Sequence, residues 1–218
     1  MTRDEFLELR KKHSYNNQYE VKNKDELREL IRLAESIDVH MDLNWLDVSS
    51  IEDMSYLFKY SKFNGDISKW DVSRVTDMCC MFVNSQFNGD ISKWDVSRVT
   101  DMCCMFQDSE FNGDISEWDV SNVKDMCCML ENSKFNGDIS KWNVSNIADA
   151  NNFDPYLDIN NVEDLKNYIS FLRSIYNDKP IEVKAKDGWF RTRNLSVFVA
   201  NKIRKDPNFL NKIKKALC

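Results

Sequence analysis

Apolar residues recur along this chain in two rhythms. Near the N-terminus they keep helical spacing. Residues 3–13 and 24–37 read as helices, and in the second Leu27, Leu30, Ile31 and Ala34 share one face. Asn23 followed three residues later by Glu26 predicts a capping box. From residue 39 the pattern changes. Ile67, Trp70, Val72 and Val75 follow I-x-x-W-x-V-x-x-V, and Met78, Met81, Phe82 and Ser85 then fall at i, i+3, i+4 and i+7. The first run predicts a short strand over Trp70–Val72, with Trp70 and Val72 on one side of the pleat and Asp71 on the other. The second predicts a short helix whose start is capped by Thr76 or Asp77. Phe63-Asn64-Gly65-Asp66 predicts a reversal, with Gly65 able to adopt positive φ.

The pattern repeats. FNGDISKWDVSRVTDMCCMF stands at 63–82 and, unchanged, at 87–106; FNGDISEWDVSNVKDMCCML follows at 111–130 and a decaying copy, FNGDISKWNVSNIADA, at 135–150. Upstream, Leu46-Asp47-Val48-Ser49 aligns with Trp70-Asp71-Val72-Ser73, and Met54, Leu57 and Phe58 align with Met78, Met81 and Phe82. One such unit cannot bury its apolar side alone, but stacked units can. The expected fold is an α/β, leucine-rich-repeat-like, right-handed solenoid of about five 24-residue coils with helical caps at both ends. Its expected core is a tryptophan row (Trp70, Trp94, Trp118, Trp142) and a phenylalanine row (Phe63, Phe87, Phe111, Phe135).

The expected organisation is an N-terminal helical cap over 1–38, a solenoid over 39–156 and a C-terminal cap or binding module over 157–218. In the last, 162–176, 195–205 and 207–217 read as helices and 181–185 as a strand.

The FNGDIS-x-WDVS-x-V-x-DM-x-x-MF unit resembles the repeats of the BspA-like leucine-rich-repeat family, over about residues 39–156. The segment from Lys22 to Ile31 also resembles the cap helix that precedes such repeats. The resemblance implies adhesion and protein binding, with no catalytic residues to carry over. Many members are exported to the cell surface. Here Cys-Cys follows Asp-Met, where the family commonly has small or aromatic residues.

Composition narrows the alternatives. Of 218 residues, 42% are apolar, and Gly (5) and Pro (3) are too scarce for a disordered or collagen-like chain. The first residues carry no apolar signal region, and no apolar run reaches the roughly 20 residues that span a bilayer. If Met1 is the natural start, a cytoplasmic protein without a membrane partner is expected, with the cell surface as the family's alternative. Seven cysteines are then expected as free thiols. Charge is asymmetric: residues 157–218 hold 13 Lys+Arg against 7 Asp+Glu, and residues 1–156 hold 17 against 29. An acidic body therefore precedes a basic tail.

Three aspartate rows stack coil on coil: Asp66/Asp90/Asp114/Asp138, Asp71/Asp95/Asp119 and Asp77/Asp101/Asp125/Asp149. Local bonding to backbone N–H groups is the expected role. Calcium binding and, for the Asp71 row, an acidic docking face are the alternatives. Lys69, Asp71, Arg74, Lys93, Asp95, Arg98, Glu117, Asp119 and Asn122 form the candidate contact patch, because a leucine-rich solenoid usually binds through its strand side. In the tail, Arg191, Arg193, Lys202, Arg204 and Lys205 are candidate contacts for a partner or for phosphates. The pairs Cys79-Cys80, Cys103-Cys104 and Cys127-Cys128 are expected to pack semi-buried, with redox chemistry as an alternative; adjacent cysteines do not supply zinc spacing.

His13 and His40 lie outside the perfect copies, and no phosphate loop, H-E-x-x-H or G-x-S-x-G occurs. No enzyme, metal or cofactor is expected. The expected function is a protein–protein interaction scaffold, with a phage- or virus-type inhibitor of a host protein as one form of it. The alternatives are nucleic-acid binding through the tail, or an acidic body competing for a nucleic-acid site. Self-association through the solenoid ends is open.

Overall fold

Residues 1–135, 137–139, 141–150 and Phe153 are described by a computed structural model. The expected module over 157–218, its helices and strand, and Arg191, Arg193, Lys202, Arg204 and Lys205 lie outside the described residues.

Helix α1 spans Arg3–Lys12. Thr2 caps it reciprocally: its Oγ1 accepts from Glu5 N at 3.2 Å, and the Glu5 carboxylate accepts from Thr2 N at 2.7 Å. Helix α2 spans Lys24–Ile37 and buries Leu27, Leu30, Ile31 and Ala34, the face read from their spacing. Asn23 Oδ1 accepts from Glu26 N at 3.0 Å, but the return arm differs from a capping box: Glu26 accepts from Lys22 N at 2.7 Å instead of Asn23 N. Between the helices lies a strand that the pattern did not predict. This β1, Tyr19–Glu20, pairs in parallel with β2, Leu46–Asp47. The cap thus lays backbone along the first coil, at the positions equivalent to Trp70-Asp71.

The 24-residue units stack as a solenoid-like repeat. Single parallel bridges run Asp53–Asp77–Asp101–Asp125–Asp149. Around them the N–H groups of Met78, Cys80, Phe82 and Asn84 donate to the carbonyls of Asp101, Cys103, Met105 and Gln107 at 2.8–2.9 Å. The helix expected over 78–85 is therefore absent, because these donors point to the next coil and cannot serve an i→i−4 ladder. The segment is a chain of tight turns, with Met81 N, Val83 N and Ser85 N donating to Met78, Cys80 and Phe82 carbonyls. Cys80 and Asn84 hold φ of 57° and 53°. The i, i+3, i+4, i+7 spacing of buried residues survives because turns of three to four residues return side chains inward much as a helix does.

The strand expected over Trp70–Val72 is also absent. Trp70 N donates to Ile67 O at 3.2 Å and Val75 N to Val72 O at 2.9 Å, so these donors close turns within the coil. The in–out alternation holds: Trp70 and Val72 are buried and Asp71 is exposed. Gly65 does not take positive φ. It is required because a Cβ there would sit 2.0 Å from Met41 O.

Aromatic rows fill the interior. Phe63, Phe87 and Phe111 stack with centroids 6.4–6.5 Å apart and planes within 4°. Trp70 and Trp94 lie 6.4 Å apart at 3°. Trp70, Trp94, Trp118 and Trp142 are all buried. Phe135 departs from the expected core: it is only partly buried, 6.3 Å from Phe111, and it is the last phenylalanine of the row among the described residues. Among the described residues, no helix is long and apolar enough to cross a membrane.

Candidate functional site

The contact patch expected from the repeat is exposed at every position. Much of it is engaged in holding the coils together. Arg74 pairs with Glu52 of the preceding coil at 2.9 Å, and Glu117 pairs with Lys141 of the following one. Lys69 Nζ sits 4.5 Å over the Tyr15 ring of the N-terminal cap. Asn122 Nδ2 donates to Ser97 O at 2.7 Å. Asp71, Asp95 and Asp119 each accept from the N–H of Ser73, Ser97 and Ser121 at 3.0 Å. Lys93 and Arg98 complete the exposed rows, and the Lys93 charge helps to hold Asp114 ionised.

The other aspartate rows also bond locally. Asp66, Asp90 and Asp114 accept from Ser68, Ser92 and Ser116 N at 2.9 Å. Asp77, Asp101 and Asp125 accept from Cys79, Cys103 and Cys127 N at 2.8 Å. These are side-chain turns rather than helix caps. Backbone and side-chain bonds from Ser116 lower the Asp114 pKa, and bonds from Ser121 lower that of Asp119. Asp101 behaves oppositely. Partial burial, followed by the flanking Asp125 and Asp77 charges, raises its pKa against the Cys103 N–H bond that lowers it.

The six described cysteines are free and half-buried. In each pair the two Sγ atoms lie 3.5 Å apart. Burial pushes the Cys79 and Cys103 thiols up, and those of Cys104 and Cys128 up to about 12.

A different location breaks the regularity. In the first coil Tyr56 stands where later coils have Cys80, Cys104 and Cys128, and Tyr60 stands where they have Asn84, Asp108 and Asn132. All eight residues hold φ between 52° and 61°. Asn and Asp enter this left-handed region readily; a tyrosine does so at a cost of roughly 1–2 kcal/mol. Yet both rings are left outside, 47% and 68% exposed. Lys59 Nζ lies 5.2 Å from each ring. With Arg28, Arg32, Glu35 and Ser61 these residues line a cleft of about 170 Å³ between α2 and the first coil. Glu35 is occupied by Ser61 Oγ and Lys62 N at 2.8 Å each, and Arg28 bonds Asp25 at 3.2 Å. The lining is therefore cationic and aromatic within an acidic body. The repeat pattern did not single out these residues. Their signal was present, as bulky side chains at two columns that otherwise hold Cys and Asn or Asp.

The model of a family described as "Mycoplasma protein of unknown function, DUF285" matches residues 6–86, 25–110 and 60–168. No curated protein and no solved structure matches.

Proposed function

The chain belongs to the DUF285 family, and on that premise we propose that it is a non-catalytic protein-binding scaffold whose cleft between α2 and the first coil receives an acidic peptide segment of a partner. The observation that carries this reading is the pair Tyr56 and Tyr60, exposed in a backbone conformation that disfavours them. The left-handed turn recurs in every coil, so it is the bulky exposed ring, where later coils place Cys, Asn or Asp, that points to use. Tyrosine and arginine are the side chains most often found at binding hot spots. Arg28, Arg32 and Lys59 supply positive charge for carboxylates, and the two phenol rings supply rigid apolar area.

Kinship of the coils with BspA-like leucine-rich repeats, and with it a right-handed winding, belongs to the same proposal. It is supported by the FNGDIS-x-WDVS motif and consistent with an adhesive role. The exposed rows from Lys69 to Asn122 would then flank the cleft as secondary contacts.

Fluorescence polarisation tests the reading. A panel of labelled acidic, basic and neutral peptides, with an oligonucleotide of equal length, is titrated with the full chain and with Arg32→Glu/Lys59→Glu. A subset of acidic peptides should bind, and the double reversal should weaken them at least about tenfold, the equivalent of 1.4 kcal/mol. Salt-sensitive binding of the oligonucleotide alone would instead favour the basic tail as a nucleic-acid module.

A further inference from the structure

The cysteine pairs repeat one geometry along the coils, and the first pair lies against the Tyr56 hydroxyl. Each pair sits at a turn corner, with the second residue at φ of 52–57° in Cys80, Cys104 and Cys128. Two hydrogen bonds fix this corner in two of the pairs. Cys79 N donates to Asp77 Oδ1 and Cys80 N to Cys103 O, both at 2.8 Å. Cys103 N donates to Asp101 Oδ1 at 2.8 Å and Cys104 N to Cys127 O at 2.7 Å. In the third pair, Cys127 N donates to Asp125 Oδ1 at 2.8 Å. The two sulfurs end 3.5 Å apart in all three coils and are half-buried.

That separation suits some acceptors and not others. A disulfide needs its sulfurs about 2.05 Å apart. Structural zinc takes four ligands, and among the described residues no three His, Cys, Asp or Glu side chains converge to hold a metal. A soft atom bonded to two sulfurs at about 2.3 Å, with an angle slightly above 90°, spans about 3.4 Å between them. The corner fits that requirement without moving backbone.

We propose that each Cys-Cys corner is a two-sulfur site for a monosubstituted trivalent arsenical, so that the chain carries three such sites in a row. The reaction is a condensation. The arsonous acid RAs(OH)2 meets two thiols; two As–O bonds break, two As–S bonds form, and the thiol protons leave in two molecules of water. Arsenic stays trivalent and nothing is oxidised. The reactants are thiols, and burial favours the protonated form at Cys79, Cys103, Cys104 and Cys128. The seventh cysteine, Cys218, has no cysteine adjacent in sequence.

The full chain, reduced and freed of reductant, is titrated with phenylarsine oxide under native conditions and read by intact mass. The expected result is three adducts that survive excess monothiol and are stripped by a dithiol. Cys80→Ser/Cys104→Ser/Cys128→Ser should lose all three, with its circular dichroism unchanged. Should that variant fail to fold, Cys104→Ser alone should lower the count from three to two. Fewer than three adducts in the parent chain, adducts labile to monothiol, or retention of all three in Cys104→Ser would overturn the proposal.

Discussion

The indole N–H of Trp94 donates to the carbonyl of Ile67, 3.2 Å away in the preceding coil. Trp70, Trp118 and Trp142 make the same bond to Leu43, Ile91 and Ile115 at 3.0–3.1 Å. Each tryptophan therefore holds two coils together by packing and by satisfying a buried acceptor. Trp94→Ala should cost about 3–5 kcal/mol, because it opens a cavity and orphans the Ile67 carbonyl. Urea denaturation measures this, and an unchanged midpoint would contradict the buried row.

Tyr60 occupies the column where Asn84 and Asn132 sit with nearly the same φ. Tyr60→Asn should stabilise the fold by roughly 1 kcal/mol, by relieving the left-handed penalty, while weakening the acidic peptides that the parent binds. Melting and polarisation together separate the two effects. A destabilised variant would show that the ring packs more usefully than its exposure indicates.

Asp101→Asn keeps an acceptor for Cys103 N and removes one charge from the Asp77–Asp101–Asp125 row. Stability at neutral pH should rise by a few tenths of a kcal/mol, the scale of partly exposed charge pairs. Asp114→Asn, at a carboxyl whose pKa is lowered, should not share the gain. Equal melting shifts for both would remove the electrostatic explanation.

On acidification the carboxylates should protonate in a set order, Asp101 before Asp114 and Asp119. The signs are opposite. The folded pKa of Asp114 and Asp119 lies below the unfolded one. Their stabilisation is present above the unfolded value and is lost as pH falls through the folded value. That of Asp101 lies above, so its penalty is present at neutral pH and lifts as pH falls through its raised value. Carboxyl chemical shifts followed by NMR would read the order, and Asp114 titrating first would reverse the assignment.

Gly65→Ala should destabilise by about 1–3 kcal/mol, because the clash is with the Met41 carbonyl oxygen and not with a side chain that can rotate. Thermal unfolding measures it, and a neutral result would mean that the first coil yields where the cap meets it.

The period, the buried rows and both N-terminal helices were legible in the residues, because identity at a shift of 24 and amphipathic spacing report directly on stacking and burial. What failed was the backbone inside the coil. Met78, Met81, Phe82 and Ser85 satisfy a helical template, yet the same inward returns arise from consecutive turns. The choice between them depends on whether the Cys80 N–H bonds within its segment or to Cys103 O, a partner in another coil. Strand β1 was missed because two residues carry no periodicity. Tyr56 and Tyr60 escape a reading of the repeat because the cleft is made where two columns depart from it.

The backbone bonds between coils join residues 23 to 25 places apart, as in Cys80 with Cys103 and Gln86 with Ser61, and each indole bond joins residues 27 apart. A duplicated stretch of 24 residues therefore arrives with all of its own partners and passes the old ones on to its neighbour. Slippage in the gene can lengthen such a rod by one notch of about 4.8 Å without redesigning either terminus. Its reach is set like a ruler, by counting, and the two unchanged copies at 63–82 and 87–106 show how freely a mark can be added.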